Sequence, residues 1–319
     1  MNDSTAVLFD IYHGTTHDGP GMRTTFFFKG CPLNCLWCHN PEGIEFGQQI
    51  WWNHQKCIGC LLCMKSCANK AVTPDETGIH TDKEKCVLCG SCVNACPAEA
   101  MSFVARQWTL DELLNEALKD REFYKSFNGG VTASGGEPLV QHKFISKFFQ
   151  ELKQLGIHTA LDTCGLAPEK AFEAVLPYTD CVLYDIKFVD SVLHQHYTGK
   201  QNTQIIKNFT NVINYKKEKN KELEIWIRTP LIPGSTATRE NIGQISRYLA
   251  AGFKESIDRW ELCTFNNLCV DKYKKLGRKW MYEGVPLMRE NDANMLKDAA
   301  MQEGFPSEKL AVTGMILHE

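Results

Sequence analysis

Eleven of the fifteen cysteines in this 319-residue chain fall into three tight groups between Cys31 and Cys96. The first group, Cys31-Pro-Leu-Asn-Cys35-Leu-Trp-Cys38, has three cysteines at C-x3-C-x2-C spacing. Three protein thiolates on a cube of four irons and four sulfides (4Fe-4S) leave one iron open, by the logic that separates catalytic from structural metal sites. An open iron can bind a substrate. On spacing alone, a zinc knuckle with His39 as fourth ligand, or a structural cysteine cluster, fits the same residues.

The other two groups are a repeat. Cys57-Ile-Gly-Cys60-Leu-Leu-Cys63-Met-Lys-Ser-Cys67 recurs 29 residues on as Cys86-Val-Leu-Cys89-Gly-Ser-Cys92-Val-Asn-Ala-Cys96. Both runs follow the C-x2-C-x2-C-x3-C spacing of bacterial ferredoxins, in which the fourth cysteine ligates the other cluster. The expected ligand sets are therefore Cys57, Cys60, Cys63 and Cys96 for one 4Fe-4S cluster, and Cys86, Cys89, Cys92 and Cys67 for a second. Pro97 follows the fourth cysteine of the second run, whereas Ala68 stands at that place in the first. A pair of zinc sites, each held by four cysteines, is the alternative. Cys164, Cys181, Cys263 and Cys269 are scattered and read as buried small hydrophobes. His158, His194 and His196 show no ligand spacing and read as structural.

Thirty-five Lys plus Arg against 38 Asp plus Glu leave a formal charge of -3, which argues against gripping nucleic acid or an anionic membrane by bulk charge. No stretch approaches the ~18 apolar residues of a membrane span. The start, Met1-Asn2-Asp3-Ser4, lacks the basic and apolar pattern of a secretory signal. The expectation is a cytoplasmic chain with no membrane or nucleic-acid partner, where thiols stay reduced and serve metals rather than disulfides.

The elements that must position these residues are legible in outline. Val7-Leu-Phe-Asp-Ile-Tyr12 and Thr24-Thr-Phe-Phe-Phe28 have the β-branched and aromatic character of strands. Residues 51–103 are cysteine-rich and poor in helical periodicity. Thr109-Leu-Asp-Glu112 is a capping box that predicts a helix to about residue 127. Strands are then expected at 130–134, 158–162, 181–188, 223–229 and 259–265, alternating with helices at 141–155, 167–176, 203–215 and 238–250. Residues 216–221 read as a solvated loop. Repeated βα units imply a parallel sheet or barrel with its ligand sites at the carboxyl ends of the strands. The expected division is 1–50 and 106–319 for one α/β body, interrupted by an insert at 51–105.

Cys31–Cys38 resembles the motif of radical S-adenosylmethionine (SAM) enzymes. Its flanks, Asp18-Gly-Pro-Gly-Met-Arg23 and His39-Asn-Pro-Glu42, resemble those of glycyl-radical-enzyme activating enzymes. So do Gly130-Val-Thr-Ala-Ser-Gly-Gly-Glu-Pro138, Asp162-Thr-Cys-Gly165, Tyr184-Asp-Ile-Lys187 and Trp226-Ile-Arg228-Thr-Pro-Leu-Ile-Pro-Gly234. The eight-cysteine insert places the chain with the longer activators rather than the short type that serves pyruvate formate-lyase. The resemblance implies an α/β fold, a partial (β/α)6 TIM-like barrel with an inserted α+β ferredoxin-like domain. It implies a radical SAM oxidoreductase with three 4Fe-4S clusters that acts on a partner glycyl radical enzyme and draws electrons from flavodoxin or ferredoxin. The open iron would chelate SAM, and reductive cleavage would give a 5'-deoxyadenosyl radical that removes hydrogen from a glycine of the partner.

By the same resemblance, Cys31, Cys35 and Cys38 hold the catalytic cluster. Trp37 would lie beside the adenine, His39 would contact the cofactor, and Asn266, standing where the short activators have a histidine, could hydrogen-bond a base edge. Gly135 and Gly136 would meet the methionyl amino group; Asp185, Ile186, Lys187 and Arg228 would contact the cosubstrate. Asp162, Thr163, Asp185 and a carbonyl near Leu183 would hold a monovalent cation. The Asp18–Gly21 turn would line the groove for the partner's glycine loop. Two other classes share part of the pattern: a radical enzyme acting on a small molecule or RNA, and a non-enzymatic electron carrier. The first does not usually carry both flanks; the second needs neither an open iron nor a large α/β body.

Overall fold

The computed structural model describes residues 4–318. Its strands are β1 Thr5–Thr15, β2 Arg23–Phe28, β3 Ile50–Trp52, β4 Val72–Asp75, β5 Gly78–Thr81, β6 Met101–Phe103, β7 Arg106–Thr109, β8 Gly130–Gly135, β9 His158–Thr163, β10 Cys181–Asp185, β11 Glu224–Leu231, β12 Arg259–Thr264 and β13 Leu310–Thr313. Its α-helices are α1 Leu62–Lys65, α2 Ser91–Asn94, α3 Leu110–Leu118, α4 Arg121–Ser126, α5 His142–Gln154, α6 Glu169–Val175, α7 Ser191–Thr198, α8 Thr203–Glu218, α9 Arg239–Gly252, α10 Val270–Lys275 and α11 Glu290–Gln302.

Nine strands form one sheet in the order β13-β12-β11-β10-β9-β8-β2-β1-β7. From β2 to β13 all neighbours are parallel, and their spatial order follows the chain, the winding of a (β/α) barrel. The sheet stays open, with β13 and β7 at its edges. Antiparallel β1 pairs with β2 on one side and β7 on the other, so the chain leaves the sheet after β2 and returns at β7. Between them lie two small antiparallel pairs, β3 with β6 and β4 with β5, and the short helices α1 and α2. The Val104 amide bonds the Gln49 carbonyl at 2.9 Å, closing the two ends of this excursion on each other.

Helices bury one face of the sheet. Phe144, Ile145, Phe148, Phe149 and Leu152 form a single stripe along α5, packed with Val131, Ala133, Leu161, Val182, Ile225 and Ile227 from alternate strand positions. The other alternate positions (Thr132, Ser134, Asp162, Asp185, Arg228 and Glu261) face the opposite side, which is where polar chemistry can sit. Among the described residues, no helix is long and apolar enough to cross a membrane.

Three expectations change. The Thr109 capping box forms, but the helix breaks after Leu118 and restarts at Arg121. Asp120, at the break, accepts from the Thr24 hydroxyl at 2.5 Å and from His13, which ties this turn to β1 and β2. Residues 216–218 belong to α8 rather than a loop, and Lys216 pairs with Asp258 at 2.5 Å. Past Asn266, α10, α11 and β13 extend the chain beyond the last element expected from its sequence.

Candidate metal centre and its surroundings

Seven parallel strands, each fully or half buried, aim their carboxyl ends at one region. The Cys31–Cys38 loop leaves the end of β2, Gly135 ends β8 with Gly136 next, Cys164 follows β9, and Asp185 ends β10 with Lys187 just past it. The loop is held from below: the Gly30 amide bonds Gly43, Cys31 bonds Ile44 at 2.9 Å, and Asn34 and Leu36 bond Thr198 and Tyr197 of α7. Glycine at 135 and 136 answers to the protein's own backbone. A Cβ on Gly135, whose φ is +123°, would meet the Phe28 backbone at 2.4 Å; one on Gly136 would meet the carbonyls of Gly30 and Gly43 at 2.5 Å.

Burial pushes the Cys35 thiol up to about 12 and the Cys38 thiol higher still, with the neighbouring cysteines adding to the effect. Thiolates are disfavoured there unless a cation compensates them, which is what iron does for its ligands. Burial would depress Lys187, but Asp185, Cys35 and Cys164 raise it above its ordinary value, so its ammonium lies within the field of the cysteine loop. Lys187 bonds Asp185 at 2.5 Å. Arg228 sits between Asp162 and Glu261, 3.6 Å from each, and Asp162 also accepts from Ser134 at 2.6 Å. Burial, opposed by Arg228 and helped by Asp185, raises Asp162 to about 6. Asp185, Asp162 and Arg228 are thus brought together on adjoining strands, on the polar face of the sheet.

Thr163 does not join them. Its hydroxyl lies on the helical side of β9, donating to Glu137 at 2.8 Å, because side chains alternate along a strand. Glu137, fully buried, also accepts from the Leu139 and Cys164 amides, and its burial lifts it to about 7. Ile186 likewise turns its side chain into the helical core, and its amide and carbonyl bond Arg228 and Thr229 of β11. Thr163 thus turns its hydroxyl, and Ile186 its side chain, to the helical side, leaving their backbone groups nearer the polar face.

Trp37 is buried in an aromatic cluster with Phe188 and Tyr197. His39 stands edge-on to Phe265 and Trp280, with Asn266 at 3.5 Å from its Nδ1. Burial and then Lys272 lower the His39 imidazole to about 4, so it is neutral at physiological pH. Two contributors escaped the sequence reading. Cys164 is more than a packing hydrophobe, because the neighbouring Cys31, together with burial, raises its thiol well above its ordinary value; its place just past a strand end in Asp162–Gly165 was the available signal. Tyr273 of α10, for which no sequence signal exists, donates to the Cys38 carbonyl at 3.0 Å.

In the excursion, one small cavity is lined by Cys57, Cys60, Cys63 and Cys96, and another by Cys67, Cys86, Cys89 and Cys92. The fourth cysteine of each run thus stands with the first three of the other. The Ala71 amide donates to Cys67 Sγ and the Ala100 amide to Cys96 Sγ, both at 3.2 Å, repeating the internal symmetry in three dimensions.

Residues 25–242 match the Radical SAM superfamily. The chain is 39% identical to the trans-4-hydroxy-L-proline dehydratase activating enzyme of Clostridioides difficile, over 91% of this chain and 93% of that one. It is 35% identical to the (2S)-3-sulfopropanediol dehydratase activating enzyme of Klebsiella oxytoca, over 96% and 97%. It is 34% identical to the choline trimethylamine-lyase activating enzyme of Oleidesulfovibrio alaskensis, over 96% and 98%. A superfamily match across two thirds of the chain and full-length relatives that are all activating enzymes leave one assignment. The chain is a radical SAM enzyme that uses a 4Fe-4S cluster and SAM, and it belongs to the activating enzymes of glycyl radical enzymes.

Proposed function

We propose that Cys31, Cys35 and Cys38 hold the catalytic 4Fe-4S cluster, and that the chain uses it to install a glycyl radical in a partner enzyme. When bound, the cluster supplies the electron that splits SAM into methionine and the 5'-deoxyadenosyl radical that takes a hydrogen atom from the partner's glycine. The observation that carries the residue assignment is the convergence of the three thiols with Lys187, Asp185 and the Gly135-Gly136 turn at the carboxyl ends of adjacent parallel strands, where ligands bind in such sheets. Lys187, its charge reinforced by Asp185, neutralises the electron-rich thiolate loop and a substrate carboxylate. Arg228, clamped between Asp162 and Glu261, adds a second fixed cation. The backbone at Gly135-Gly136 offers carbonyls for an amino group, and Trp37, His39 and Asn266 supply an apolar wall with a polar edge for a base.

The excursion between β2 and β7 holds two further 4Fe-4S clusters in this reading, with the crossed ligand sets named above. Eight cysteines in two matched runs, four lining each cavity, support cubes over a pair of zinc sites. His39, the fourth ligand of the zinc-knuckle alternative, has its ring packed against Phe265 and Trp280. A flavodoxin- or ferredoxin-type donor supplies the electrons.

The test is an anaerobic mixture of the reconstituted protein, SAM, a reductant and a candidate partner carrying a glycyl-radical loop. A glycyl electron-spin signal that needs all four components is expected. Turnover of SAM with a free metabolite altered and no protein-borne radical would overturn the reading.

A further inference from the structure

Helix α10 has two working sides. Towards the three-cysteine loop, Tyr273 donates to the Cys38 carbonyl at 3.0 Å, and Lys272 bonds Asn40 Oδ1 at 2.8 Å and the buried Glu42 carboxylate at 2.6 Å. Towards the cysteine-rich excursion, Asp271 and Lys275, one turn apart and paired at 2.7 Å, present the opposite side. Asp271 lies 3.8 Å from the His54 imidazole, and the Lys275 ammonium sits 5.4 Å from the centre of the Trp51 ring. Just past the helix, Arg278 donates to Glu45 Oε1 at 2.9 Å, and the same oxygen accepts from Lys83 at 3.0 Å, so one carboxylate joins the body to the excursion.

These ties matter because the joint is not solidly packed. A cavity of about 400 Å³ is lined by residues 275–278 and by Gln48, Trp52, His80 and Cys86. Trp52 also lines the cavity of the Cys57 set, and Cys86 belongs to the other set, so both proposed clusters border this gap. Where apolar contact does not fix two bodies, polar contacts and chain ends must.

We propose that α10 and Arg278 form the bridge that fixes the cysteine-rich excursion against the Cys31–Cys38 loop, making electron delivery from the excursion to the catalytic cluster depend on them. The proposal rests on the three-cluster reading. Electron tunnelling falls steeply with separation, so loosening the bridge slows electrons that pass through the excursion. It leaves untouched those that a small reductant delivers directly. In either route one electron leaves the donor and is spent on breaking the S–C5' bond of SAM.

The experiment uses the full chain with its clusters reconstituted, in three forms: parent, Lys275→Ala/Arg278→Ala, and Lys275→Arg/Arg278→Lys. Iron content is measured first, then reduction of the SAM-bound cluster is followed by freeze-quench electron-spin resonance, with a flavodoxin donor and separately with a viologen. We expect about twelve irons per chain in each. The double alanine form should be slowed by an order of magnitude with flavodoxin and unaltered with viologen, with rescue in the charge-keeping form. Equal flavodoxin rates in all three forms would overturn the bridge, as would equal slowing with both donors. About four irons in the parent would instead refute the three-cluster reading, and the bridge with it.

Discussion

Arg23 is the largest charged side chain wholly enclosed in the fold, and replacing it tests how the turn at Asp18–Gly21 is held. Its guanidinium donates to the Thr132 hydroxyl at 2.6 Å, the Pro20 carbonyl at 2.9 Å and the Val131 carbonyl at 2.7 Å, all uncharged acceptors. Burial lowers it from 12.5 to about 10. The folded value lies below the unfolded one, so at every pH below about 10 the cation costs the fold about 3 kcal/mol. Against that, three hydrogen bonds from a charged donor contribute about 1.5–3 kcal/mol each. The bonds win. Arg23→Met, which keeps the apolar stem, should therefore destabilise by about 2–6 kcal/mol, within the 5–15 kcal/mol typical of a folded domain. The turn keeps two other anchors, Thr132 Oγ1 to the Asp18 carbonyl at 2.7 Å and Thr25 Oγ1 to Asp18 Oδ2 at 2.8 Å. It should loosen rather than unfold. Anaerobic denaturant unfolding gives the first number. Kinetics give the second: the apparent KM for the partner enzyme should rise, while partner-free SAM cleavage with dithionite stays close to the parent rate. A variant as stable as the parent with an unchanged KM would refute the reasoning. So would an equal fall in partner-free cleavage, which would put Arg23 at the cluster instead.

Two further substitutions separate roles within the site. Cys38→Ala should abolish SAM cleavage under any reductant, whereas Cys92→Ala should slow delivery from a flavodoxin donor yet recover with dithionite; 5'-deoxyadenosine formation, with circular dichroism to confirm folding, distinguishes them. A folded Cys92→Ala protein dead with both reductants would make the second set of cysteines more than a relay. Gly136→Ala should destabilise by about 1–3 kcal/mol or more and weaken SAM binding, because its Cβ meets two backbone carbonyls that cannot swing aside. Gly47→Ala, with nothing within 4 Å of its Cβ, should leave both unchanged, and equal melting temperatures for the two variants would contradict the close-approach argument.

What could be read from the chain alone follows the range of each interaction. Cysteine spacing reports a local constraint, so the three groups were legible before any coordinates, and the expectation that Cys67 and Cys96 cross between sets rests on that spacing alone. The βα alternation was legible for the same reason, since α5 and its neighbouring strands write their periodicity into consecutive residues. The direction of the Thr163 side chain was not legible from a motif match, which ignores the alternation of a strand: one residue from Asp162 is the other face of the sheet. Cys164 was undervalued because its partner, Cys31, lies 133 positions earlier in the sequence.

The same argument explains why α10 was invisible. Its six residues are too few to show a periodicity, and three of them are lysines that read as solvent-exposed. Lys272 acquires meaning only from the buried Glu42, and Tyr273 only from the Cys38 carbonyl. The three cysteines proposed for the radical cluster lie within eight consecutive residues, so their spacing shows in the sequence. Residues that hold two parts of the fold together come from wherever the chain returns to the joint, and leave no such local pattern. In the proposed reading, the stretch after Asn266 supplies the support that holds the cysteine-rich excursion against the Cys31–Cys38 loop.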